Sequence, residues 1–71
     1  EIKPILEEYK NKTKIGDFEV KNIDTKDGVK LYFTDNASWI LIRPSGTEPL
    51  LRIYFESDSK DKLVSMINIF A

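Results

Sequence analysis

The alternation of hydrophobic and polar residues predicts a helix, four strands and a second helix, in that order. Residues 1–10 carry an apolar stripe at helical spacing, and residues 11–14 are a polar connector. Residues 15–24, 29–34, 37–43 and 50–57 carry the alternation or the apolar runs that are typical of strands. Residues 57–59 offer several helix N-caps, and the predicted second helix continues to the last residue. Its apolar stripe consists of Leu63, Met66, Ile67 and Phe70.

These elements predict an α+β fold, with a four-stranded antiparallel sheet and two helices packed on one face. Asp27-Gly28 and Asp35-Asn36 supply tight turns between neighbouring strands. The run from Trp39 to Ile42 is apolar on both faces, as expected for a central strand, and we predict that Trp39 is a packing residue. At 71 residues the chain is a single domain with a thin core. The first helix lacks a capping residue, so we expect that upstream domains of a larger protein precede residue 1.

Composition narrows the classes of function. A formal net charge of −1 argues against a nucleic-acid or membrane partner, because such binding needs excess Lys and Arg. Cysteine and histidine are both absent, which removes thiolate chemistry and the usual general base at neutral pH. An independent small hydrolase is therefore the least favoured class. Without a signal peptide or a long apolar run, we expect a cytoplasmic location.

The stretch from residue 43 to residue 49 carries the most distinctive chemistry. Arg43 offers forked donors that suit phosphate, while Ser45 and Thr47 add hydroxyl groups. Gly46 allows the backbone to turn so that successive N–H groups converge on one point. Charge-assisted hydrogen bonds contribute about 1.5–3 kcal/mol each, so several together could hold a phosphate group. Glu48 would repel that phosphate unless it braces an arginine or contacts hydroxyl groups of the same ligand.

A purely structural alternative exists for the same stretch. In that interpretation the loop is a rigid connection, its Ser and Thr side chains bond locally to the backbone, and Arg43 pairs with Glu48. Short motifs arise often by chance, so the residue types alone leave the two interpretations evenly balanced.

The sequence Arg-Pro-Ser-Gly-Thr-Glu-Pro at 43–49, continued by Leu-Leu-Arg-Ile-Tyr-Phe-Glu at 50–56, resembles the C-terminal domain of the α-D-phosphohexomutases. Asp27-Gly28-Val29-Lys30 and Ser38-Trp39 also resemble that domain, so the similarity covers most of the chain. The family includes phosphoglucomutases, phosphomannomutases and phosphoglucosamine mutases.

The resemblance implies a TATA-binding-protein-like fold and a substrate-phosphate-binding role within a multidomain isomerase, an intramolecular phosphotransferase. The ligands would be hexose phosphates and hexose bisphosphates, held by the phosphate that is not transferred. Arg52 would support the phosphate-binding residues without itself contacting the phosphate, or form a salt bridge with Glu56. The residues implied in phosphate binding are Arg43, Ser45, Gly46 and Thr47, with Glu48 and Arg52 in supporting roles.

The same resemblance implies that the chemistry occurs outside these 71 residues. The family uses a phosphorylated serine and a Mg2+ ion bound by aspartates, both in other domains of the same enzyme. We therefore expect no catalytic residue, no metal ligand and no cofactor in this domain. The alternative is a stand-alone binding module that uses the open sheet face, and the scarcity of aromatic residues predicted on that face argues against it.

Overall fold

The computed structural model describes residues 2–70, and the side chains of residues 4–70. Two helices and five strands follow one another: α1 (Ile2–Lys10), β1 (Lys14–Ile15), β2 (Phe18–Asp24), β3 (Val29–Phe33), β4 (Trp39–Pro44), β5 (Leu51–Glu56) and α2 (Lys60–Phe70). The strands form one antiparallel sheet in which their spatial order is their order in the chain. The predicted α+β class is confirmed, and the TATA-binding-protein-like topology stays a prediction. Among residues 2–70, no helix is long and apolar enough to span a membrane.

The predicted count of four strands is wrong, because a fifth strand precedes them. Residues 15–24 were expected to form one strand, but Gly16 has a φ of 58° and breaks that stretch into a tight hairpin. Ile15 therefore pairs with Phe18 across a two-residue Gly16-Asp17 turn, and Lys14 pairs with Glu19. The residue at the start of the predicted first helix, Glu1, and the residue at the end of the second, Ala71, lie outside the described residues.

Strand β2 is also irregular further along. Its register with β3 shifts between Val20 and Asn22, so Val20 lies opposite Phe33 whereas Asn22 lies opposite Tyr32. The strand is therefore bulged at Lys21.

The core lies between the sheet and both helices, as predicted. Alternate residues of β3 and β4 are buried on this face, and each helix packs against the same cluster. Tyr9 of α1 and Phe70 of α2 even contact each other, with ring centroids 5.8 Å apart. The fully buried members are Ile15, Val29, Leu31, Phe33, Ile40, Ile42 and Met66.

Two apolar residues do not lie where the pattern suggests. Ile67 is 50% exposed at the margin of the α2 stripe, whereas Leu63, Met66 and Phe70 pack against the core. Trp39 lies half-buried on the open face, where the Lys30 ammonium is 4.2 Å from its ring centroid. It packs against that cation instead of the core.

At the end of the sheet where β4 begins, a polar cluster joins the β3–β4 turn to α2. The buried Ser38 hydroxyl donates to the Asp35 carboxylate at 2.5 Å and lies 2.8 Å from the Ser57 hydroxyl. The Lys62 ammonium is 3.0 Å from the same carboxylate. Ser59 caps the helix, because its Oγ accepts the Lys62 N–H at 3.4 Å. This cluster fixes the start of α2.

Candidate functional site

The β4–β5 loop lies at the opposite end of the sheet and is closed by its own backbone. The Ser45 N–H donates to the Leu50 carbonyl at 2.8 Å, which extends the strand pairing by one step beyond Pro44 and Leu51. The Leu50 N–H then donates to the Glu48 carbonyl at 2.8 Å, so the chain turns tightly around Pro49. Pro44 and Pro49 lie at the two ends of the loop, and proline fixes φ at both positions. The loop is therefore stiff at its base.

At the tip of the loop, hydrogen-bond donors lack partners within the protein. The backbone N–H groups of Gly46, Thr47 and Glu48 donate to no acceptor among residues 4–70. Within that same range, the hydroxyl groups of Ser45 and Thr47 form no hydrogen bond. Ser45 is half-buried, and the other three residues are exposed. Successive free N–H groups in a turn can form a concave site for an anion.

Two arginines flank this loop on the open face of the sheet. Arg43 on β4 lies directly opposite Arg52 on β5, and both are exposed. Directly opposed residues have Cβ atoms about 4.5–5.5 Å apart, and like charges at that spacing repel. No carboxylate in the described part of the chain forms an ion pair with either arginine. The pair is therefore an uncompensated positive site.

The structural alternative for the loop is not supported, because the contacts it requires are absent among residues 4–70. Arg43 does not pair with Glu48, and neither loop hydroxyl bonds to the backbone. The suggested salt bridge between Arg52 and Glu56 is also wrong. Four residues along a strand span about 13 Å, which two side chains on the same face do not bridge.

Gly28 in the β2–β3 turn holds the end of β4 in place. Its φ is 122°, as the Asp-Gly turn predicts. A Cβ at this position would overlap the Ile42 carbonyl oxygen and lie 2.9 Å from the Arg43 Cβ. The turn therefore packs directly on the backbone that carries Arg43, and only glycine allows this approach.

Gly46 differs from Gly28 in both respects. It has no positive φ, and a Cβ built on it would meet no atom of the chain within 4 Å. That Gly46 allows the backbone N–H groups to converge on an anion stays a prediction. Neither its dihedral angles nor its packing within the chain requires glycine.

A surface cavity of about 290 Å³ adjoins the loop at the end of the sheet. Arg43 and Pro44 line it from β4, and Asp27 and Gly28 line it from the β2–β3 turn. The remaining lining residues are Leu6, Lys10, Thr25 and Val29. This cavity could not be predicted from the sequence, because its walls come from three separate stretches of the chain.

Comparison with known proteins assigns the family. A family profile described as the phosphoglucomutase/phosphomannomutase C-terminal domain matches residues 2–70. The chain belongs to this family. The expected resemblance is therefore confirmed over nearly the whole chain, including the β4–β5 loop.

Individual phosphohexomutases are similar over shorter stretches. A probable phosphoglucosamine mutase of Methanosphaera stadtmanae is 51% identical over 51 residues, which are 72% of this chain and 11% of that protein. A phosphoglucomutase/phosphomannomutase of Thermococcus kodakarensis is 52% identical over 40 residues, 56% of this chain and 8% of that protein. A probable phosphoglucosamine mutase of Pyrococcus furiosus is 39% identical over 62 residues, 87% of this chain and 13% of that protein. The chain thus spans roughly a tenth of the length of these relatives.

The structure brings the predicted phosphohexomutase site residues together at one end of the sheet. Arg43, Ser45, Gly46 and Thr47 are consecutive or nearly so, and Arg52 joins them through the β4–β5 register. Glu48 contributes a free N–H group, and its carboxylate forms no ion pair within residues 4–70. Among those residues, no three carboxylates converge in a way that could hold a metal ion.

Proposed function

We propose that this chain is the phosphosugar-binding C-terminal domain of a phosphohexomutase. In this proposal the β4–β5 loop holds the phosphate that is not transferred, while intramolecular phosphoryl transfer occurs on residues of other domains of the same enzyme. The ligands are hexose phosphates and the hexose bisphosphate intermediate. A Mg2+ ion, where the parent enzyme uses one, would be bound by those other domains.

The observation that carries the proposal is the set of unpartnered donors at the loop. Three successive N–H groups, at Gly46, Thr47 and Glu48, lie at the tip, and the Ser45 and Thr47 hydroxyls lie beside them. A phosphate monoester carries a charge of about −1.5 to −2 and three acceptor oxygens, which matches a site made of donors alone.

The opposed arginines support the same ligand. A dianion near Arg43 and Arg52 would relieve the repulsion between them, since each guanidinium can donate two parallel hydrogen bonds to phosphate oxygens. Arg52 thereby has a supporting role through charge, in place of the salt bridge with Glu56 that is absent. The Glu48 carboxylate lies in the loop itself and disfavours an anion there, so its backbone N–H is what we assign to the site.

The proposal is tested by titrating the 71-residue chain with glucose 1-phosphate and following its backbone amides by NMR. We expect the largest shifts at Ser45, Gly46 and Thr47. Arg43→Ala should weaken binding by about ten- to a hundredfold, because it removes one bidentate charge-assisted contact.

Lys60→Ala is the control for loss of one positive charge. Lys60 is exposed at the start of α2, at the other end of the sheet, so this variant should bind like the parent chain. Shifts centred away from the loop, or binding that survives Arg43→Ala, would contradict the proposal.

A further inference from the structure

We propose that the cavity beside the β4–β5 loop receives the hydroxyl-bearing part of the phosphosugar, and that Asp27 accepts hydrogen bonds from its hydroxyl groups. This inference rests on the proposed function, because the phosphate held by the loop is what brings the sugar to the cavity. It assigns to the β2–β3 turn a role in binding the sugar, separate from phosphate binding.

The cavity shares a wall with the phosphate site. Arg43 and Pro44 line the cavity directly, and the next residue, Ser45, begins the donor-rich loop. A ligand that places its phosphate at Arg43 therefore has this cavity as a neighbouring space. Its volume of about 290 Å³ approaches the lower limit of small-molecule sites, which range from about 300 to 1,000 Å³.

Two oppositely charged residues line the cavity and form no ion pair across it. Asp27 and Arg43 both line the cavity, yet no ion pair joins them. Asp27 and Thr25 also lack any side-chain hydrogen bond within residues 4–70. The Lys10 ammonium forms an ion pair with the Glu7 carboxylate on the surface of α1, with an N–O distance of 3.3 Å. Asp27 and Arg43 therefore both line the cavity, and neither side chain forms a hydrogen bond or an ion pair within residues 4–70.

A phosphosugar matches this arrangement group by group. Its phosphate oxygens only accept hydrogen bonds, as the guanidinium of Arg43 requires. Its hydroxyl groups donate, and an ionised carboxylate only accepts, so Asp27 suits the sugar and repels the phosphate. The apolar side chains of Leu6, Val29 and Pro44 complete the lining, and they can contact the C–H groups of a ring. The two ends of the ligand are thereby distinguished.

The turn that carries Asp27 is held firmly. Gly28, the next residue, packs against the Ile42 carbonyl and against Arg43 Cβ. The Asp24 carboxylate accepts the Lys26 N–H at 2.9 Å and closes the turn from the other side. Asp27 is therefore fixed relative to Arg43, as a two-point site for one ligand requires.

The experiment compares glucose 1-phosphate with inorganic phosphate on the 71-residue chain and on Asp27→Asn. Asparagine keeps the turn, because Asn-Gly is as favourable as Asp-Gly there. We expect the parent chain to bind glucose 1-phosphate more tightly than inorganic phosphate. In Asp27→Asn, the dissociation constant for glucose 1-phosphate should rise by about tenfold while that for inorganic phosphate changes by less than about twofold.

The amide shifts give a second measurement on the same samples. Glucose 1-phosphate should shift Thr25, Asp27 and Gly28 in the parent chain, whereas inorganic phosphate should shift the loop alone. Asp17→Asn, in the exposed turn at the other end of β2, is the matched control and should leave both affinities unchanged.

The possible outcomes distinguish failure of the sugar site from failure of the phosphate site. Equal affinity for the two ligands in the parent chain, or an unchanged affinity of Asp27→Asn for glucose 1-phosphate, overturns the sugar site and leaves the phosphate site standing. Equal losses for both ligands in Asp27→Asn also overturn it, because the effect would then be on phosphate. Failure of the parent chain to bind either ligand overturns the proposed function itself.

Discussion

Gly46 is the residue at which a substitution should weaken phosphate binding without affecting folding. Because a Cβ there meets nothing within 4 Å and the residue has no positive φ, Gly46→Ala should leave the melting temperature unchanged. The added methyl group lies at the tip where the phosphate would approach the backbone. We expect phosphate affinity to fall by about tenfold or more, as measured by NMR titration.

A loss of stability in Gly46→Ala would show that the glycine serves the fold, and would contradict this assignment. Ser65→Ala, on the exposed surface of α2, is a suitable comparison for the unfolding measurement.

Gly28→Ala, in contrast, should lower the stability of the fold. The new Cβ would overlap the Ile42 carbonyl and would force a positive φ of 122° on alanine. Strain of this kind costs about 1–3 kcal/mol, so urea unfolding should detect a lower free energy of unfolding. Because Gly28 supports Arg43, the folded fraction should also bind phosphate more weakly. An unchanged midpoint of unfolding would be inconsistent with this packing.

At the residue scale, the sequence predicted the parts of the site that are contiguous. Arg43, Ser45 and Thr47 lie within one short motif, so their residue types suggest an anion site, and the resemblance to the family favours it over a purely structural loop. The pairing of Arg43 with Arg52 depends on register, which the hydrophobic pattern and the turn jointly set. If Pro44 is placed opposite Leu51 at the base of the loop, the next pair along the two strands is Arg43 opposite Arg52.

At the scale of elements, the polar cluster at the start of α2 makes stability depend on pH. The hydrogen bond from the Ser38 hydroxyl, together with those from backbone N–H groups and Lys62, lowers the pKa of Asp35 well below its ordinary range. A lowered pKa in the folded state contributes stability above the unfolded value, about 3.9, and that stability is lost as the pH falls below it. We therefore expect the free energy of unfolding to decrease progressively below about pH 4.

Asp35→Asn should flatten this decrease, because the substituted side chain does not titrate. Urea unfolding at several pH values between about 2 and 7 is the measurement. Asp61→Asn is the control, since Asp61 forms no side-chain hydrogen bond or ion pair among residues 4–70. Parallel pH profiles for the parent chain and Asp35→Asn would refute the role of the cluster.

The element that sequence reasoning missed is β1. Two residues are too few to show an alternation, and residues 15–24 are predicted as one strand although Ile15 is out of phase with Phe18 and Val20. The Gly16-Asp17 pair was the available signal, since glycine followed by aspartate is favourable in a two-residue hairpin turn. The short strand is stabilised by a tertiary contact that the local pattern does not show, because Ile15 is buried in the core.

At the scale of the whole molecule, a small core leaves little reserve of stability. Met66 is fully buried and joins α2 to the sheet. Met66→Ala should lower the free energy of unfolding by about 2–5 kcal/mol, which is a large part of the total for a domain of this size. Thermal or urea unfolding measures the change.

Val64→Ala on the same helix provides the contrast. Val64 is largely exposed, so its truncation should change stability by less than about 0.5 kcal/mol. Equal effects of the two substitutions would mean that α2 does not bury Met66 as described.

The architecture was predictable because helix and strand periodicities differ clearly in this chain, and both helices had a single apolar stripe to bury. The open face was not predicted fully. Trp39 was expected to pack among apolar neighbours, but it lies on that face with Tyr32 directly opposite it. Aromatic residues are therefore less scarce on the open face than predicted, because the face on which each member of an apolar run lies depends on its parity along the strand.

The short strand β1 and the bulge in β2 have a consequence for how copies of this chain behave together. An exposed, regular strand edge is a template on which another chain can add a strand and start aggregation. β1 occupies the first two residues of the β2 edge, and the register shift at Lys21 interrupts the pattern of the remainder while placing an exposed ammonium there. This edge therefore offers no long regular stretch on which a second copy of the chain could add a strand.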